Sequence, residues 1–316
     1  MNPQIVLQCR DVGHDYGRRP ILYDVNVDIA AGQIVALVGP SGCGKSTLLR
    51  AILGTHPPRD GQVIIDGQPM LRPNRNVGIV YQNYSLYDYM TALENVVFGL
   101  MLERTSLPFR FFRYPAWRRM RRDLEDEAMA MLDKVHLGTA AKLYPSEMSG
   151  GMRQRVALAQ ALVMQPKILL LDEPFGALDE ATREELQVML LELYAENLDH
   201  LTEGVEPPYT IVMVTHELDE ALYVADRVIG LSQYHRDGGQ GATVVYDRPA
   251  PVFRPNDVRD FEIFVQQKEE IRNVVFDPES MRHHSEFVSF WPQRPRQAEQ
   301  AAVLADRQLA RAQTPP

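Results

Sequence analysis

Cysteine is nearly absent: Cys9 and Cys43 alone cannot build a disulfide framework, and a reducing, cytosolic compartment fits them. Long hydrophobic runs are missing too. The longest buried-looking ones, IVALV at 34–38 and ILLL at 168–171, have the length of strands, not of the roughly 18–20 residues that span a bilayer. The opening MNPQIVLQCR carries no basic stretch followed by an apolar core, so no signal peptide is expected. Positive charge is in deficit, with 33 Lys and Arg against 42 Asp and Glu. A net charge of −9 argues against a nucleic-acid partner, because phosphate binding is driven by Lys and Arg. What is present is ordinary for a soluble globular protein, 45% hydrophobic and 24% charged residues, with no internal repeat. The expectation is a soluble chain, or one held to a membrane through a partner.

Apolar and polar residues alternate in QIVLQCRDVGHDYG and LYDVNVDIA, which predicts antiparallel strands with turns at Gly13 and Gly17. GQIVALVG at 32–39 predicts a buried strand, followed by a helix from Lys45 to Leu53 that Gly54 stops. GQVIIDGQPM predicts a hairpin and NVGIVYQ a further strand. From about 83 to 165 the spacing turns helical: LEDEAMAMLDKVHL is amphipathic, and Met152, Val156, Ala159 and Val163 share one face. After Pro166 come KILLLDEP, an acidic helix from Asp179 to about Glu196, the strand YTIVMVTHE, the helix LDEALYVA and the strand DRVIGLS. Strands alternating with helices predict an α/β core around a mostly parallel sheet, with an N-terminal antiparallel β-subdomain and an inserted helical subdomain. This domain is expected to cover 4–250. Residues 251–291 are expected to form an extension with one helix, FEIFVQQKEEIRNVVF, and 292–316 a disordered tail.

The chemistry begins at LVGPSGCGKSTLL. Gly39, Pro40, Ser41, Gly42, Cys43, Gly44, Lys45 and Ser46 fit G-x-x-x-x-G-K-[ST] between a strand and a helix, the context that makes the motif meaningful. Its glycines let backbone N–H groups turn inward onto phosphate oxygens, and the helix N-terminus adds partial positive charge. Lys45 supplies a full charge for β- and γ-phosphates, and the Ser46 hydroxyl suits Mg²⁺. In ILLLDE, Asp172 ends a buried strand within reach of the metal, and Glu173 is placed to polarise water or, alternatively, to cap the next turn. His216, after TIVMVT, is either structural or a hydrogen-bond donor to a γ-phosphate. A second anion-suited turn stands a hundred residues on, in MSGGMRQRVALAQAL, where Ser149 precedes two glycines that open a basic helix.

Two phosphate turns in one chain resemble the ATP-binding subunits of ABC transporters, whose motifs recur here in their usual order from about 4 to 250. The resemblance implies that Tyr16 stacks on adenine, that residues 39–47, through Thr47, form the P-loop, and that Gln82 links Mg²⁺ to the helical subdomain. Ser149, Gly150 and Gly151 match the signature turn, Asp172 and Glu173 the second Walker motif, Asp179 the dimer-contact loop, and His216 the switch histidine. It also implies ATP and Mg²⁺ as ligands and a head-to-tail dimer in which each ATP lies between one P-loop and the opposite Ser149 turn. Met148 and Met152 depart from the family's Leu and Gln, leaving the serine and the backbone amides to serve.

In that family such a subunit powers a membrane permease, works from the cytoplasmic face of the membrane, and often serves a substrate-binding protein. FGALDEATREELQ and VTHELDEALYVADRV look most like importers of the nitrate, sulfonate and taurine group. YSLYDYMTALENVVFGL echoes sugar, sulfate and polyamine importers, but 242–316 holds too little strand for their C-terminal barrel. An exporter or lipid-transport subunit, a soluble non-transport ATPase and a non-hydrolysing regulator stand as alternatives; Glu173 speaks against the last. Tyr84, Tyr87 and Tyr89 read either as a groove for a permease helix or as core packing. RTSLPFRFFRYPAWRRMRR (104–122) reads as a lipid-headgroup or acidic-partner surface, or as a solvated basic helix face with its aromatics tucked inside. NLDHLTEGVEPPY (197–209) lengthens a connection without a legible purpose.

Overall fold

The computed structural model describes residues 4–17, 19–234, 240–250 and 261–276. Alternating apolar residues make two long strands, β1 (Ile5–Tyr16) and β2 (Arg19–Ala30), paired antiparallel across the reversal at Gly17, φ 71°. Gly13 is not a turn. It sits within β1 where the register against both neighbours shifts, because an extra residue bends a strand without ending it. β3 (Ile34–Val38) and α1 (Lys45–Leu53) follow as expected, with Gly54 in the left-handed region closing the helix. β4 (Asp60–Ile65) and β5 (Gln68–Pro69) form the hairpin around Asp66 and Gly67, φ 49° and 73°, the positive pair a tight two-residue turn requires. The first sheet runs β2-β1-β4-β5 and is antiparallel throughout.

The second sheet has the order β10-β9-β3-β8-β7-β6. β3, β6 (Val77–Val80), β7 (Ile168–Asp172), β8 (Ile211–Val214) and β9 (Arg227–Ser232) are parallel, and β10 (Thr243–Pro249) is an antiparallel edge. The period of two along each strand divides it between two cores. Val35, Leu37, Ile168, Leu170 and Val212 face α1 and the first sheet. Ile34, Ala36, Val38, Leu169, Leu171 and Met213 face the helices on the other side. Both faces are covered, so these strands are continuously apolar.

Between β6 and β7 lies the helical subdomain: α2 (Ala92–Arg104), α3 (Leu107–Phe112), α4 (Tyr114–Lys134) and α5 (Gly150–Leu162). Thr91 and Glu94 cap α2 reciprocally, and α4 buries Leu124, Ala128 and Leu132. The shared face of α5 holds, with Val156, Ala159 and Val163 buried and Met152 packed beside them. The aromatics of 104–122 do not all turn inward. Trp117 is half-buried under the Arg110 guanidinium at 5.4 Å, whereas Phe112 and Tyr114 are 87% and 62% exposed.

The acidic helix, α6 (Glu180–Thr202), continues past Glu196 because Asn197 is anchored rather than free. Asn197 Nδ2 donates to the carbonyls of Gly32 (2.9 Å) and Tyr209 (2.6 Å), bracing the long connection against the turn before β3. α7 (Leu218–Val224) follows His216, and α8 (Phe261–Val275) packs on it with Ile271 and Val275 buried. Lys268 of α8 reaches Asp219 in the first turn of α7 at 2.5 Å. The remainder of the expected extension and the tail at 292–316 lie outside the described residues.

Asp226, at the foot of β9, gives this core a pH dependence. Burial pushes its carboxyl up from 3.8 to about 7, against the pull of the Ile34 backbone and of Arg227. Between those values the folded chain holds a proton that the unfolded chain releases. Stability therefore falls as pH rises from about 4 through about 7. Asp226→Asn should melt several degrees above the wild type at pH 8, with the gap closing toward pH 5. Parallel melting-temperature curves across that range would remove Asp226 as the cause.

Candidate active site

Parallel strands place whatever follows them on one edge of the sheet. The loop after β3 carries residues 39–44, the residue after β7 is Glu173, and His216 comes two residues after β8. The first of these is the phosphate cradle. A Cβ on Gly39 would strike the Leu231 carbonyl, Gly42 and Gly44 take φ 77° and 104°, and a Cβ on Gly44 would meet Ile21 and Leu22 at 2.8 Å. Only glycine fits these positions, and the backbone they permit delivers its N–H groups to the start of α1. No side chain caps α1, so its first N–H groups are offered to an anion.

Lys45 is buried, with Nζ donating to the carbonyls of Gly39 (2.7 Å) and Pro40 (3.1 Å). Its ammonium is thus held over the loop that phosphates would enter. Ser41 is exposed on that loop and Ser46 in the first turn of α1, with Pro40 half-buried and Thr47 buried behind them. Burial also raises the Cys43 thiol, against the pull of Lys45, leaving it a packing group and not a nucleophile.

Asp172 is half-buried; burial first, and then the Glu173 charge, push its carboxyl up, while Arg50 and Lys45 pull it down. Glu173 takes φ 50°, a strained setting for a non-glycine, and its N–H is tied to the Val214 carbonyl at 2.9 Å. That twist aims its carboxylate outward, where Oε2 accepts from Gln82 Nε2 at 3.3 Å and Oε1 lies 3.5 Å from His216 Nδ1. Gln82, Glu173 and His216, distant in sequence, meet in one cluster. Since the Gln82 amide nitrogen faces Glu173, its carbonyl oxygen is the atom that can ligate a metal. Among the described residues no group of three or more His, Cys, Asp or Glu could hold a metal. Ser46, Gln82 and Asp172 instead suit Mg²⁺, which keeps water and substrate phosphate in its shell.

Tyr16 ends β1, 47% exposed, with its ring held edge-on by His14 at 5.0 Å, leaving a flat face for a base to stack on. The Ser149 turn has different supports. Ser149 N-caps α5, its Oγ accepting from the Met152 N–H at 3.2 Å. The backbone of Met152, not its thioether, enters this turn, so the departure from glutamine leaves the cap intact. A Cβ on Gly151 would overlap the Thr182 methyl, and one on Gly150 would meet Tyr84 Oη at 3.3 Å and Leu178 at 3.6 Å. Asp179 caps α6, accepting from Thr182 N (3.1 Å) and Oγ1 (2.7 Å), and those bonds hold its carboxyl below the usual range. Asp179 and the signature turn therefore touch the same threonine.

Tyr84, read from the sequence only as groove or core, lies beside the second turn. It sits at φ 58° two residues after Gln82, with Oη near Gly150 and its ring 5.3 Å from the Arg153 guanidinium. The three tyrosines divide. Tyr84 serves the signature turn, Tyr87 packs edge-on against Phe98 at 5.0 Å, and Tyr89 lines a groove of about 330 Å³. Met90, Leu93, Val97, Phe98 and Met101 floor that groove, with Arg121 and Glu125 at its rim. Among the described residues no helix is long and apolar enough to cross a membrane.

A P-loop, a strand-end carboxylate pair and a second anion-binding turn on this two-sheet scaffold define an ATPase of the ATP-binding-cassette class. The profile of the family described as ABC transporter matches residues 22–176. The sulfate/thiosulfate import ATP-binding protein CysA of Pectobacterium atrosepticum is 39% identical over 250 residues, 78% of this chain and 70% of that protein. CysA 1 of Agrobacterium fabrum is 42% identical over 241 residues, 75% of this chain and 64% of that one. Among solved structures, the dimeric post-hydrolysis state of the ATP-binding cassette MJ0796 bound to ADP and Pi superposes with a TM-score of 0.59 at 29% identity, covering 78% of this chain and all of that one. The chain belongs to the ABC transporter family, among its importer-type ATP-binding subunits. It spans about two thirds of the length of such curated relatives.

Proposed function

We propose that two copies of this chain bind ATP head to tail and use its hydrolysis to drive import of a small oxyanion through a membrane permease. The observation that carries the reading is the pair of anion-binding turns. The P-loop leans on Ile21, Leu22 and Leu231, the Ser149 turn on Tyr84, Leu178 and Thr182, so one protomer supplies one half of each of two sites. Tyr16 stacks the base, while Lys45 and the N–H groups of 39–47 hold the phosphates. Ser46, Gln82 and Asp172 would hold Mg²⁺, which neutralises charge on the β- and γ-phosphate oxygens when bound. The partner's Ser149 turn then covers the γ-phosphate with a hydroxyl and helix N-terminal amides. Glu173 takes a proton from the attacking water, and His216, with Nδ1 3.5 Å from that carboxylate and Nε2 3.4 Å from Glu217, turns its one ring N–H to the γ-phosphate.

Glu173 and His216 respond to the γ-phosphate, and Gln82 ties that response to the helical subdomain. There the α2–α4 groove, apolar-floored with a charged rim, fits a short amphipathic helix of a permease. By their names the sulfate/thiosulfate importers among the relatives carry oxyanions, the same class of cargo as that of the nitrate, sulfonate and taurine importers which the helix sequences resemble. A solute-binding protein would deliver such a cargo to the permease. Oxyanion uptake in cells lacking the chain tests the reading. Loss of labelled sulfate, thiosulfate, nitrate or taurine uptake, restored by the wild type, is expected. Tyr89→Glu in the groove should keep ATP hydrolysis in solution and fail to restore uptake. Unchanged uptake of all four solutes would overturn the cargo class.

A further inference from the structure

We propose that the corner between α3 and α4 is a membrane-surface patch for anionic phospholipid headgroups, formed by Arg113, Arg118, Arg119 and Arg122 beside exposed Phe112 and Tyr114. Residues 104–122 hold seven arginines and no Asp or Glu, in a chain whose net charge is −9. Three of the seven are engaged. Arg104 pairs with Glu127, Arg121 pairs with Glu125 at 2.8 Å, and Arg110 donates to Thr105 Oγ1 and the Met101 carbonyl while stacking on Trp117. The other four are exposed and make no ion pair among the described residues.

Helical spacing collects them. Tyr114, Arg118 and Arg122 follow one another at intervals of four, so they share a face of α4. The buried stripe of α4 lies about a quarter-turn round from that face, with Trp117 half-buried and Leu124, Ala128 and Leu132 buried. Charge alone would suit an acidic protein loop equally well; the aromatics decide. A phenylalanine 87% exposed and a tyrosine 62% exposed, flanked by guanidinium groups, match the chemistry of the bilayer interface, where rings sit at headgroup depth and arginines meet phosphates. The net negative charge elsewhere does not cancel this, because screening confines the interaction to about 8–10 Å. Asp123 and Asp126 stand one turn after Arg119 and Arg122 at the C-terminal edge of the patch, make no ion pair with them among the described residues, and are outnumbered by the four arginines. Arg121 and Glu125, on this helix, also rim the α2–α4 groove, so a permease helix seated there would bring the bilayer alongside the patch. This last argument alone rests on the proposed function.

Vesicle sedimentation with the purified full-length chain, no permease present, tests the patch separately from the transport reading. The chain should pellet with phosphatidylcholine vesicles containing phosphatidylglycerol, release as salt is raised, and ignore pure phosphatidylcholine. The combined variant R113Q/R118Q/R119Q/R122Q should bind about a thousandfold more weakly, each of the four arginines contributing near an anionic surface. F112S/Y114S should lose a smaller part, and both variants should keep the wild-type circular dichroism and ATP hydrolysis in solution. Failure of the wild type to bind anionic vesicles at low salt, or equal binding by the arginine variant, would overturn the proposal. So would binding to polyglutamate as tight as to vesicles and indifferent to F112S/Y114S, which would assign the patch to an acidic protein. None of these outcomes bears on uptake or on the groove.

Discussion

Glu173→Gln should retain ATP binding and lose about 10²–10⁴-fold in turnover, the range a positioned general base contributes. The substitution keeps shape and the contact with Gln82 but removes the ability to take a proton from water. Its backbone setting, φ 50° with the N–H fixed to Val214, is indifferent to the change from carboxylate to amide. Stability should therefore stay level, which separates this role from the alternative that the acidic pair only caps a turn; a lost cap would lower the melting temperature. In the proposed cycle, cleavage of ATP reopens the closed dimer, so the variant should accumulate as a nucleotide-bound dimer. Phosphate release measured beside sedimentation velocity reads both effects. Wild-type phosphate release would remove Glu173 from catalysis.

The second large effect is expected at the other half-site. Ser149→Arg should leave ATP binding by the monomer intact, since the P-loop has separate supports, yet abolish dimer closure and steady hydrolysis. The Ser149 hydroxyl accepts from Met152 N–H and keeps its one proton for a phosphate oxygen. Ser149→Ala removes the cap, at about 1 kcal/mol, and that proton, but adds no bulk. The arginine in addition fills the space the opposite nucleotide must enter. The decisive comparison is in the Glu173→Gln background, where adding Ser149→Arg should convert the ATP-bound dimer into an ATP-bound monomer. Persistence of the dimer would refute the shared-site arrangement.

Much of this was legible in order along the chain. The P-loop, the ILLLDE strand end and the Ser149 turn are local devices, each made by neighbours in sequence, and the structure places them where strand–loop–helix logic expects. Gly13 misled because glycine marks both turns and bulges, and pairing with β2 and β4 decides between them. The length of α6 was underestimated because its last turns depend on Asn197 bonding to Gly32, 165 residues away. The tyrosines after Gln82 looked alike in sequence, yet only the packing of Gly150 and Arg153 shows that Tyr84 belongs to the signature turn.

The two glycine-rich turns, the strand-end carboxylates and the alternating pattern that splits the parallel strands between two cores can all be read along the chain. These follow from period, glycine placement and charge within a few residues. Long-range packing alone brings Gln82, Glu173 and His216 into one cluster, buries Asp226 enough to titrate near neutrality, and leaves Phe112 and Tyr114 facing outward. Each of those depends on which distant segment lies alongside, and one-dimensional periodicity carries no record of that.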